Sequence, residues 1–303
     1  MRVLVTGVTG QLGHDVLFEL KSRGHEAFGT ARSEPEELPD GAGFVKADLA
    51  DEVAVKAAVL ELHPDAVIHC AAWTAVDAAE EPENRDVVYG ANVLATRLLA
   101  EACASVGAKM LYLSTDYVFD GQGTRPWEPD DKCYAPLNYY GETKLLGEQA
   151  VVETLDRFFI VRIAWVFGKN GKNFIKTMLN VGRTHESVRV VRDQIGTPTY
   201  TFDLARLLVD MIETEKYGYY HATNSEETVG EYISWYDFTR EIYREAGLGT
   251  EVVPVTTAEY GLSRAVRPFN SRLDKRKLVE VGFVPLPGWK DALHRYLLEI
   301  GEL

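Results

Sequence analysis

A glycine-rich turn near the start of the chain places the strongest constraint on its fold. The sequence TGVTGQLG (residues 6–13) follows an apolar, β-type run and opens an amphipathic helical pattern. Its first glycine permits a tight turn, its second lets the backbone approach a pyrophosphate, and its third lets the helix pack closely on the sheet. The helix N-terminus offers free N–H groups to the same anion. This strand–turn–helix pattern predicts a dinucleotide site, to which we assign Gly7, Gly10, Gln11, Leu12 and Gly13.

Similar strand-like runs recur along the first two thirds of the chain. They lie at residues 2–6, 27–31, 44–48, 66–72, 110–115, 158–167 and 219–223. Amphipathic helical patterns separate the early runs, and this alternation implies a parallel sheet covered by helices on both faces. The predicted fold class is therefore α/β, a Rossmann-like doubly wound parallel sheet.

The alternation loosens after about Phe167, which predicts a second, smaller and discontinuous α/β domain that binds the substrate. Segment 199–214 has a helical pattern and is expected to return to the main sheet together with the strand at 219–223. The predicted dinucleotide-binding domain comprises residues 1–168 plus about 194–224. The predicted substrate-binding domain comprises about 169–193 plus 225–303.

Composition and charge narrow the possible partners. The chain of 303 residues carries 46 acidic and 32 basic side chains, a net charge of −14, which argues against non-specific binding to nucleic acid or membranes. No apolar run approaches the roughly 18 residues of a membrane span, and the first strand leaves no room for a signal peptide. Three widely spaced cysteines indicate neither a zinc site, nor any other metal site, nor a disulfide framework. We expect a cytoplasmic protein.

The end of the second strand bears on the choice of cofactor. Sites that prefer NAD usually place an acid there to hold the ribose 2′-hydroxyl. This chain has Arg32 and Ser33 instead, which suit a 2′-phosphate, so we expect NADPH, with NADH possible. The ends of the third and fourth strands, at Asp48, Leu49, Ala71 and Ala72, are assigned to the same cofactor site.

A tyrosine and a lysine share one face of a predicted helix. Asn138 is a candidate N-cap, and residues four apart in the helix that follows lie on one face. Tyr140 is therefore predicted to lie over Lys144, whereas Tyr139 has Thr143 as its i+4 neighbour. A cation beside a phenol favours the phenolate, so we expect the pKa of Tyr140 to be lowered.

Taken together, these motifs resemble the extended short-chain dehydrogenases/reductases, and more narrowly the dTDP-4-dehydrorhamnose reductases. The resemblance covers essentially the whole chain. It rests on TGVTGQLG, on AAWTAVDAAE (71–80), on STDYVFDG (114–121), on PLNYYGETKLLGE (136–148), on VVRDQIGTPTYTFDLA (190–205) and on RPFNSRLD (267–274). It implies reduction of a 4-keto-6-deoxy sugar carried on dTDP by NAD(P)H.

The resemblance also implies roles for individual residues near the strand at 110–115. Tyr140 would protonate the 4-keto oxygen, and Thr115 would donate a hydrogen bond to the same oxygen. Lys144 would hold the nicotinamide ribose and tune Tyr140, with Asn92 supporting the lysine through water. The residues expected to line the sugar site here are Asp116 and Tyr117.

Three further substrate residues are expected in the second half of the chain. Trp165 follows the sixth strand and would lie against the sugar. Asn173 would reach the diphosphate, although it is equally suited to cap a helix. Arg267 is the preferred diphosphate ligand because arginine donates forked, charge-assisted hydrogen bonds to phosphate, and Arg272 is a weaker candidate.

Several alternatives remain at this point. A 4,6-dehydratase would need an acid pair after the strand-end threonine, but Tyr117 stands where the second acid belongs. An epimerase with retained NAD is disfavoured by Arg32, and a non-catalytic regulatory subunit of the same fold by the intact Thr115, Tyr140 and Lys144. The family usually has an asparagine where this chain has His69-Cys70, which we interpret as core packing. The expected assembly is a monomer or a homodimer.

Overall fold

The computed structural model describes all 303 residues. Its fourteen strands are β1 Arg2–Thr6, β2 Glu26–Ala31, β3 Gly43–Lys46, β4 Ala66–His69, β5 Lys109–Thr115, β6 Phe158–Ile163, β7 Val166–Phe167, β8 Ser187–Val191, β9 Ile195–Gly196, β10 Thr199–Tyr200, β11 Gly218–His221, β12 Ile233–Ser234, β13 Glu251–Val255 and β14 Asn270–Ser271.

The α-helices vary from four to sixteen residues in length. They are α1 Gln11–Ser22, α2 Glu52–Leu62, α3 Val76–Ala79, α4 Arg85–Tyr89, α5 Ala95–Val106, α6 Tyr139–Thr154, α7 Phe174–Thr184, α8 Thr201–Ile212, α9 Trp235–Glu245, α10 Thr257–Tyr260, α11 Arg276–Glu280 and α12 Trp289–Glu299.

Seven parallel strands form the main sheet, in the order β11-β6-β5-β4-β1-β2-β3. These are the seven runs predicted from the sequence, and the Rossmann-like doubly wound α/β fold is confirmed. Because all the strands run the same way, their carboxyl ends meet at one edge of the sheet. Thr6 lies beside His69 there, and Thr115 beside Ile163. Ligands of open α/β sheets bind at this edge.

Buried apolar side chains cover both faces of the main sheet. One core contains residues from α1 and α8, and the other contains residues from α2 and α5. The strands β4 and β5 are buried along their whole length, which is why they appear in the sequence as continuous apolar runs. Helix α8 and strand β11 return to this sheet, as predicted.

The second domain has a core of its own, although its strands are short. Fifteen buried residues, among them Phe167, Phe238 and Trp289, join α7, α9 and α12 around the pairs β10-β7 and β13-β8. The buried cores depart from the predicted domain bounds at two places. Phe167 and Tyr200 were assigned to the dinucleotide-binding domain, yet they pack in this second core. Leu278 and Phe283 were assigned to the second domain, yet they pack in the main-sheet core, because α11 lies against β11.

The helical segment Pro82–Val106 has the length and apolar composition of a membrane span, and 56% of its most apolar window is buried inside the fold. Core helices of globular proteins meet the same criterion. Residues Gly90–Leu94 within this segment form a π-helical turn. Such a turn changes which side chains face the sheet, and it directs Asn92 into the interior.

Candidate active site

A cavity of about 1050 Å³ opens at the carboxyl edge of the main sheet and extends towards the second domain. Its volume lies just above the usual range for small-molecule sites, which is roughly 300–1,000 Å³. Most of the residues predicted from the sequence line it. They are Gly7, Gly10, Gln11, Leu12, Gly13, Arg32, Asp48, Leu49, Ala71, Ala72, Thr115, Asp116, Tyr117, Tyr140, Lys144, Trp165 and Arg267.

Three predicted residues do not line this cavity: Ser33, Asn92 and Asn173. Ser33 is exposed beyond the end of β2. Asn92 is buried, with its side-chain oxygen accepting from the Trp73 backbone N–H at 2.8 Å and its amide donating to Thr143 Oγ1 at 3.0 Å. Asn92 therefore fixes the loop after β4, and its support of Lys144 through water stays a prediction.

The side chain of Asn173 has a structural role. Its oxygen accepts from the Lys176 backbone N–H at 3.0 Å and caps α7, the alternative that the sequence had left open. Its amide nitrogen has three acceptors within hydrogen-bond distance, Tyr296 Oη at 2.8 Å, the Gly168 carbonyl at 2.9 Å and Gln11 Oε1 at 3.2 Å. The residue thereby links the second domain to the glycine-rich turn, and no hydrogen-bonding group of its amide remains for a diphosphate.

The glycine-rich turn forms a cradle that side chains would fill. Gly7 has φ +72°, and a Cβ on it would lie 2.8 Å from the backbone of Ala71. A Cβ on Gly13 would lie 2.7 Å from the Gly7 carbonyl carbon. Thr6 Oγ1 accepts from the Ala71 N–H at 3.1 Å and holds the β1 and β4 loops together. The resulting space fits a pyrophosphate against the start of α1.

Arg32 lines the cavity at the end of β2. Its side chain is exposed and takes part in no ion pair or hydrogen bond within the protein. Since Ala31 ends β2 directly before it, the guanidinium stands where the ribose of a bound dinucleotide is held in this fold. A free cation at this position fits a 2′-phosphate.

The end of β5 brings three polar side chains into the cavity. Thr115 Oγ1 donates to Asp116 Oδ1 at 3.0 Å and accepts from the Tyr117 backbone N–H at 3.3 Å. Asp116 is 1% exposed, and its Oδ2 has no hydrogen-bond partner. Burial raises the pKa of Asp116 to about 6. Tyr117 packs edge-on against Tyr140, with 5.6 Å between ring centroids.

Helix α6 presents Tyr140 and Lys144 to the same cavity, whereas Tyr139 lies outside it. Asn138 caps the helix by accepting from the Gly141 N–H at 2.8 Å, as predicted. The predicted lowering of the Tyr140 pKa is wrong. Burial raises the pKa of this phenol, and the hydrogen bond with Thr115 only partly opposes that effect. The phenol therefore stays protonated at neutral pH.

The Lys144 ammonium contacts other groups. Its Nζ donates to the Leu113 carbonyl at 2.7 Å and lies 4.0 Å from the centroid of the Tyr112 ring. Burial lowers the pKa of Lys144 to about 7, while the charge of Glu148 acts in the opposite direction. The side chain is held against β5 by these two contacts.

Aromatic side chains form the opposite side of the cavity. Trp165 stacks on Trp235, with 3.8 Å between ring centroids, and Phe174 packs against Trp235 at 4.4 Å. Trp165 has φ +53°, a strained backbone for a bulky residue. Its ring lies over Gly196, where a Cβ would come within 3.3 Å. Trp235 and Phe174 had no signal in the sequence, because only tertiary packing brings them to Trp165.

Arg267 approaches the cavity from the loop before β14 and is tied to the other domain. Its guanidinium donates to Asp77 Oδ2 at 2.5 Å and to Tyr117 Oη at 3.3 Å. Asp77 also accepts from the backbone N–H of Arg264 and of Ala265. This pairing fixes the direction of Arg267 at the cavity surface. Arg272 contacts Asn270 instead and does not line the cavity.

Two fully buried charges behind the site had not been predicted. Glu148, on α6, and Arg162, on β6, form a two-pronged ion pair at 2.8 Å and 2.7 Å. Arg162 interrupts an otherwise apolar strand, FFIVRIAWVF, and that interruption was the available sequence signal, because a buried charge requires a partner. His69 is a core residue that bonds to Thr6 and Thr96, in agreement with its interpretation as packing.

Comparisons with known proteins agree with this geometry. A model of the family described as "RmlD substrate binding domain" matches residues 1–301. The dTDP-4-dehydrorhamnose reductase of Streptomyces griseus is 40% identical over 299 residues, 96% of this chain and 91% of that protein. A dTDP-4-keto-6-deoxy-D-glucose reductase of Streptomyces niveus is 33% identical, covering 96% of this chain and 95% of that one.

One solved structure is similar over nearly the whole chain. It is the dTDP-4-dehydrorhamnose reductase of Bacillus anthracis in complex with NADP, which has 38% sequence identity and a TM-score of 0.86. The match covers 98% of this chain and 99% of that one.

Proposed function

Because the chain belongs to the RmlD substrate-binding-domain family, matched over residues 1–301, we propose that it reduces the 4-keto group of dTDP-4-dehydro-L-rhamnose to give dTDP-L-rhamnose. The reductant is NADPH, and the reaction belongs to nucleotide-sugar biosynthesis. Two relatives that carry this reductase name, one of them a solved structure with NADP, support the assignment.

One observation carries the proposal: a single cavity contains both the glycine cradle and the group Thr115, Tyr140 and Lys144. The cradle fits the pyrophosphate of a dinucleotide, and the group fits a carbonyl that is being reduced. A binding module would need the first feature alone. Their meeting at one edge of the sheet favours catalysis over the regulatory subunit.

Reduction requires that a proton be available when the carbonyl oxygen becomes an alkoxide. The bound nicotinamide supplies the hydride. Tyr140 supplies the proton, and its raised pKa keeps it in the acid form at neutral pH. When substrate binds, the Thr115 hydroxyl turns from Asp116 Oδ1, to which it donates in the free protein, to the same oxygen, and Lys144 holds the nicotinamide ribose. Asp116, whose Oδ2 is unpaired, accepts a hydrogen bond from a sugar hydroxyl.

The other end of the substrate lies against the second domain. Trp165 and Trp235 provide an apolar surface for the sugar ring, and Arg267 binds the diphosphate. Its bonds to Asp77 and Tyr117 leave the guanidinium already oriented, so little conformational entropy is lost when phosphate binds. Arg267 also supplies local positive charge to a chain whose net charge is −14.

The experiment that tests the proposal mixes the purified protein with NADPH and freshly made dTDP-4-dehydro-L-rhamnose, and follows oxidation of the cofactor. NMR then identifies the product sugar. Rapid oxidation that yields dTDP-L-rhamnose is the expected result. Tight NADPH binding without oxidation would refute it.

The relative named dTDP-4-keto-6-deoxy-D-glucose reductase suggests a second candidate substrate, dTDP-4-keto-6-deoxy-D-glucose. That sugar differs from dTDP-4-dehydro-L-rhamnose in its configuration at C3 and C5, and it carries the same 4-keto group and nucleotide. The same assay with dTDP-4-keto-6-deoxy-D-glucose distinguishes the two by the ratio of kcat/KM. We expect the L-sugar to be preferred, and a ratio in favour of the D-sugar would reassign the substrate.

The choice of cofactor depends on Arg32. Replacing it with alanine should raise the KM for NADPH about 10- to 100-fold and leave the KM for NADH unchanged, because a charge-assisted bond to phosphate contributes about 1.5–3 kcal/mol. Steady-state kinetics with both cofactors test this. Equal effects on both would remove Arg32 from 2′-phosphate recognition.

We further propose that the protein acts in the cytoplasm, as a monomer or a homodimer.

A further inference from the structure

A fully buried polar network lies directly behind the proposed catalytic residues. At its centre the Glu148 carboxylate accepts from Arg162 Nε at 2.8 Å, from Arg162 Nη2 at 2.7 Å and from Ser114 Oγ at 2.5 Å. The two charged side chains are 1% and 0% exposed. Neither Glu148 nor Arg162 lines the cavity, so neither can touch substrate or cofactor.

The network joins every element that carries a reacting group. Glu148 lies one helical turn after Lys144 on α6, and Ser114 directly precedes Thr115 on β5. Arg162 Nη1 donates to the Pro129 carbonyl at 3.1 Å, and its Nη2 donates to Tyr134 Oη at 3.0 Å. The loop that contains these two partners leads into the N-terminus of α6, where Tyr140 lies.

Maintaining this pair has a cost that the fold must offset. A buried ion pair is often no more stabilising than an apolar pair of the same size, whereas losing one partner is strongly destabilising. Packing against the main sheet could be achieved with apolar residues at both positions. A charged pair at this place is therefore better explained by what its carboxylate does for the neighbouring ammonium.

We propose that Glu148 is a positioning residue for the reductase reaction: its buried carboxylate keeps Lys144 protonated and, through Ser114, holds the end of β5 at a fixed distance from α6. The inference rests on the proposed function, because that function gives Lys144 its role of holding the nicotinamide ribose. Arg162 is the buried counter-charge of this carboxylate.

Lys144 is surrounded by groups from three elements. On α6 it has Glu148 and Tyr140, and on β5 the Leu113 carbonyl and the Tyr112 ring, while Cys70 and His69 approach from the end of β4. Burial lowers the pKa of His69 to about 3, so this imidazole is neutral. Burial also raises the pKa of the Cys70 thiol, which is therefore protonated. Glu148, the partner of the Arg162 guanidinium, is then the one carboxylate that acts on the ammonium.

The sign of the effect follows from this arrangement. Burial alone lowers the pKa of Lys144, and the negative charge of Glu148 opposes it, which leaves the pKa at about 7. If Glu148 loses its charge, the pKa of Lys144 must fall further. The ammonium would then be lost at a lower pH, and with it the donor to the nicotinamide ribose.

The test follows the titration of Lys144 itself. Protein labelled with 13C at lysine Cε is titrated by NMR without cofactor, and Lys144 is assigned from the spectrum of Lys144→Met. In Glu148→Gln we expect a midpoint about one pH unit below that of the natural protein. The control Glu142→Gln removes the same charge from an exposed position on the same helix and should leave the midpoint unchanged.

A double variant separates electrostatics from folding. Glu148→Gln leaves Arg162 buried without its partner, so its melting temperature should fall. Glu148→Gln with Arg162→Met removes both charges, and we expect it to recover most of the melting temperature. Its Lys144 midpoint should still lie below the natural one, but less so than in the single variant. If the single variant does not fold, the double variant carries the test.

Two results would overturn the inference: a Lys144 midpoint in the double variant equal to that of the natural protein, or an equally large shift in Glu142→Gln. A second readout is the affinity for NADPH as a function of pH, whose loss at high pH should begin earlier in Glu148→Gln. Both readouts are independent of the sugar. A shifted midpoint in a protein that does not reduce the sugar would refute the proposed function alone.

Discussion

The two sides of the cavity are built in different ways. The sheet wall comprises the turn at residues 6–13 together with Thr115, Tyr140 and Lys144, and its parts lie at strand ends and on one helix face. The second-domain wall comprises Trp165, Phe174, Trp235 and Arg267, which come from four separate elements or loops. The local geometry of strands, turns and helices determines the positions of the residues in the sheet wall. Packing between segments distant in the sequence determines those in the second-domain wall.

The difference teaches where chemistry and recognition are located in this molecule. The sheet wall holds the groups that move protons and cradle the cofactor, and parallel strands fix them rigidly. The second-domain wall supplies apolar surface and one phosphate ligand. We therefore expect substitutions in the sheet wall to change kcat or cofactor affinity, and substitutions in the second-domain wall to change the KM for the sugar.

The largest expected effect is at Tyr140. Replacing it with phenylalanine should lower kcat by about 10³-fold, because positioned proton transfer contributes roughly 10²- to 10⁴-fold. Affinity for NADPH, measured by fluorescence titration, should be retained. As a control, Tyr139→Phe removes a phenol from the neighbouring position outside the cavity and should retain full turnover. Unchanged turnover in Tyr140→Phe would overturn the enzymatic assignment.

Arg267 tests the second-domain wall directly. Arg267→Ala should raise the KM for the dTDP-sugar about 10- to 100-fold with little change in kcat, because charge-assisted hydrogen bonds to phosphate contribute about 1.5–3 kcal/mol. Arg272→Ala, in a neighbouring position that does not line the cavity, is the matched control. The opposite pattern, a fall in kcat at constant KM, would remove Arg267 from this role and blur the distinction between the walls.

Gly13 tests whether the sheet wall forms a cradle. In Gly13→Ala the new Cβ would lie 2.7 Å from the Gly7 carbonyl carbon, so the turn must shift. We expect NADPH to bind at least about tenfold more weakly, since overpacking costs roughly 1–3 kcal/mol. Gly249→Ala adds a methyl group in open space and should bind NADPH normally. Normal binding by Gly13→Ala would show that the turn does not contact the cofactor.

The smallest effect is expected at Trp235. Trp235→Ala removes the ring that stacks on Trp165, and should raise the KM for the sugar about fivefold, within the range of aromatic contacts. Trp235→Phe retains an aromatic surface and should recover most of this loss. Kinetics at saturating NADPH measure both variants. A change in the KM for NADPH instead would show that Trp235 contributes to cofactor binding, the role assigned to the sheet wall.

The sequence could predict much of the fold and of the sheet wall, for a physical reason. Strand and helix periodicity are local, and so are the glycine turn, the Asn138 cap and the i, i+4 pairing of Tyr140 with Lys144. The resemblance to a known family added substrate roles, and Trp165 and Arg267 do line the cavity. Asn92 and Asn173 do not line it, because their amides are used by backbone groups and by residues far away in the chain.

What only the tertiary structure decided concerns burial and long-range pairing. The sequence placed Tyr140 beside Lys144, but the pKa of the phenol is set by desolvation, and the ammonium turns to the Leu113 carbonyl. The arginine within FFIVRIAWVF signalled a buried charge without identifying Glu148 as its partner. The sequence determines which residues a helix or strand brings together within a few positions. Desolvation and contacts across more than one element depend on the assembled fold.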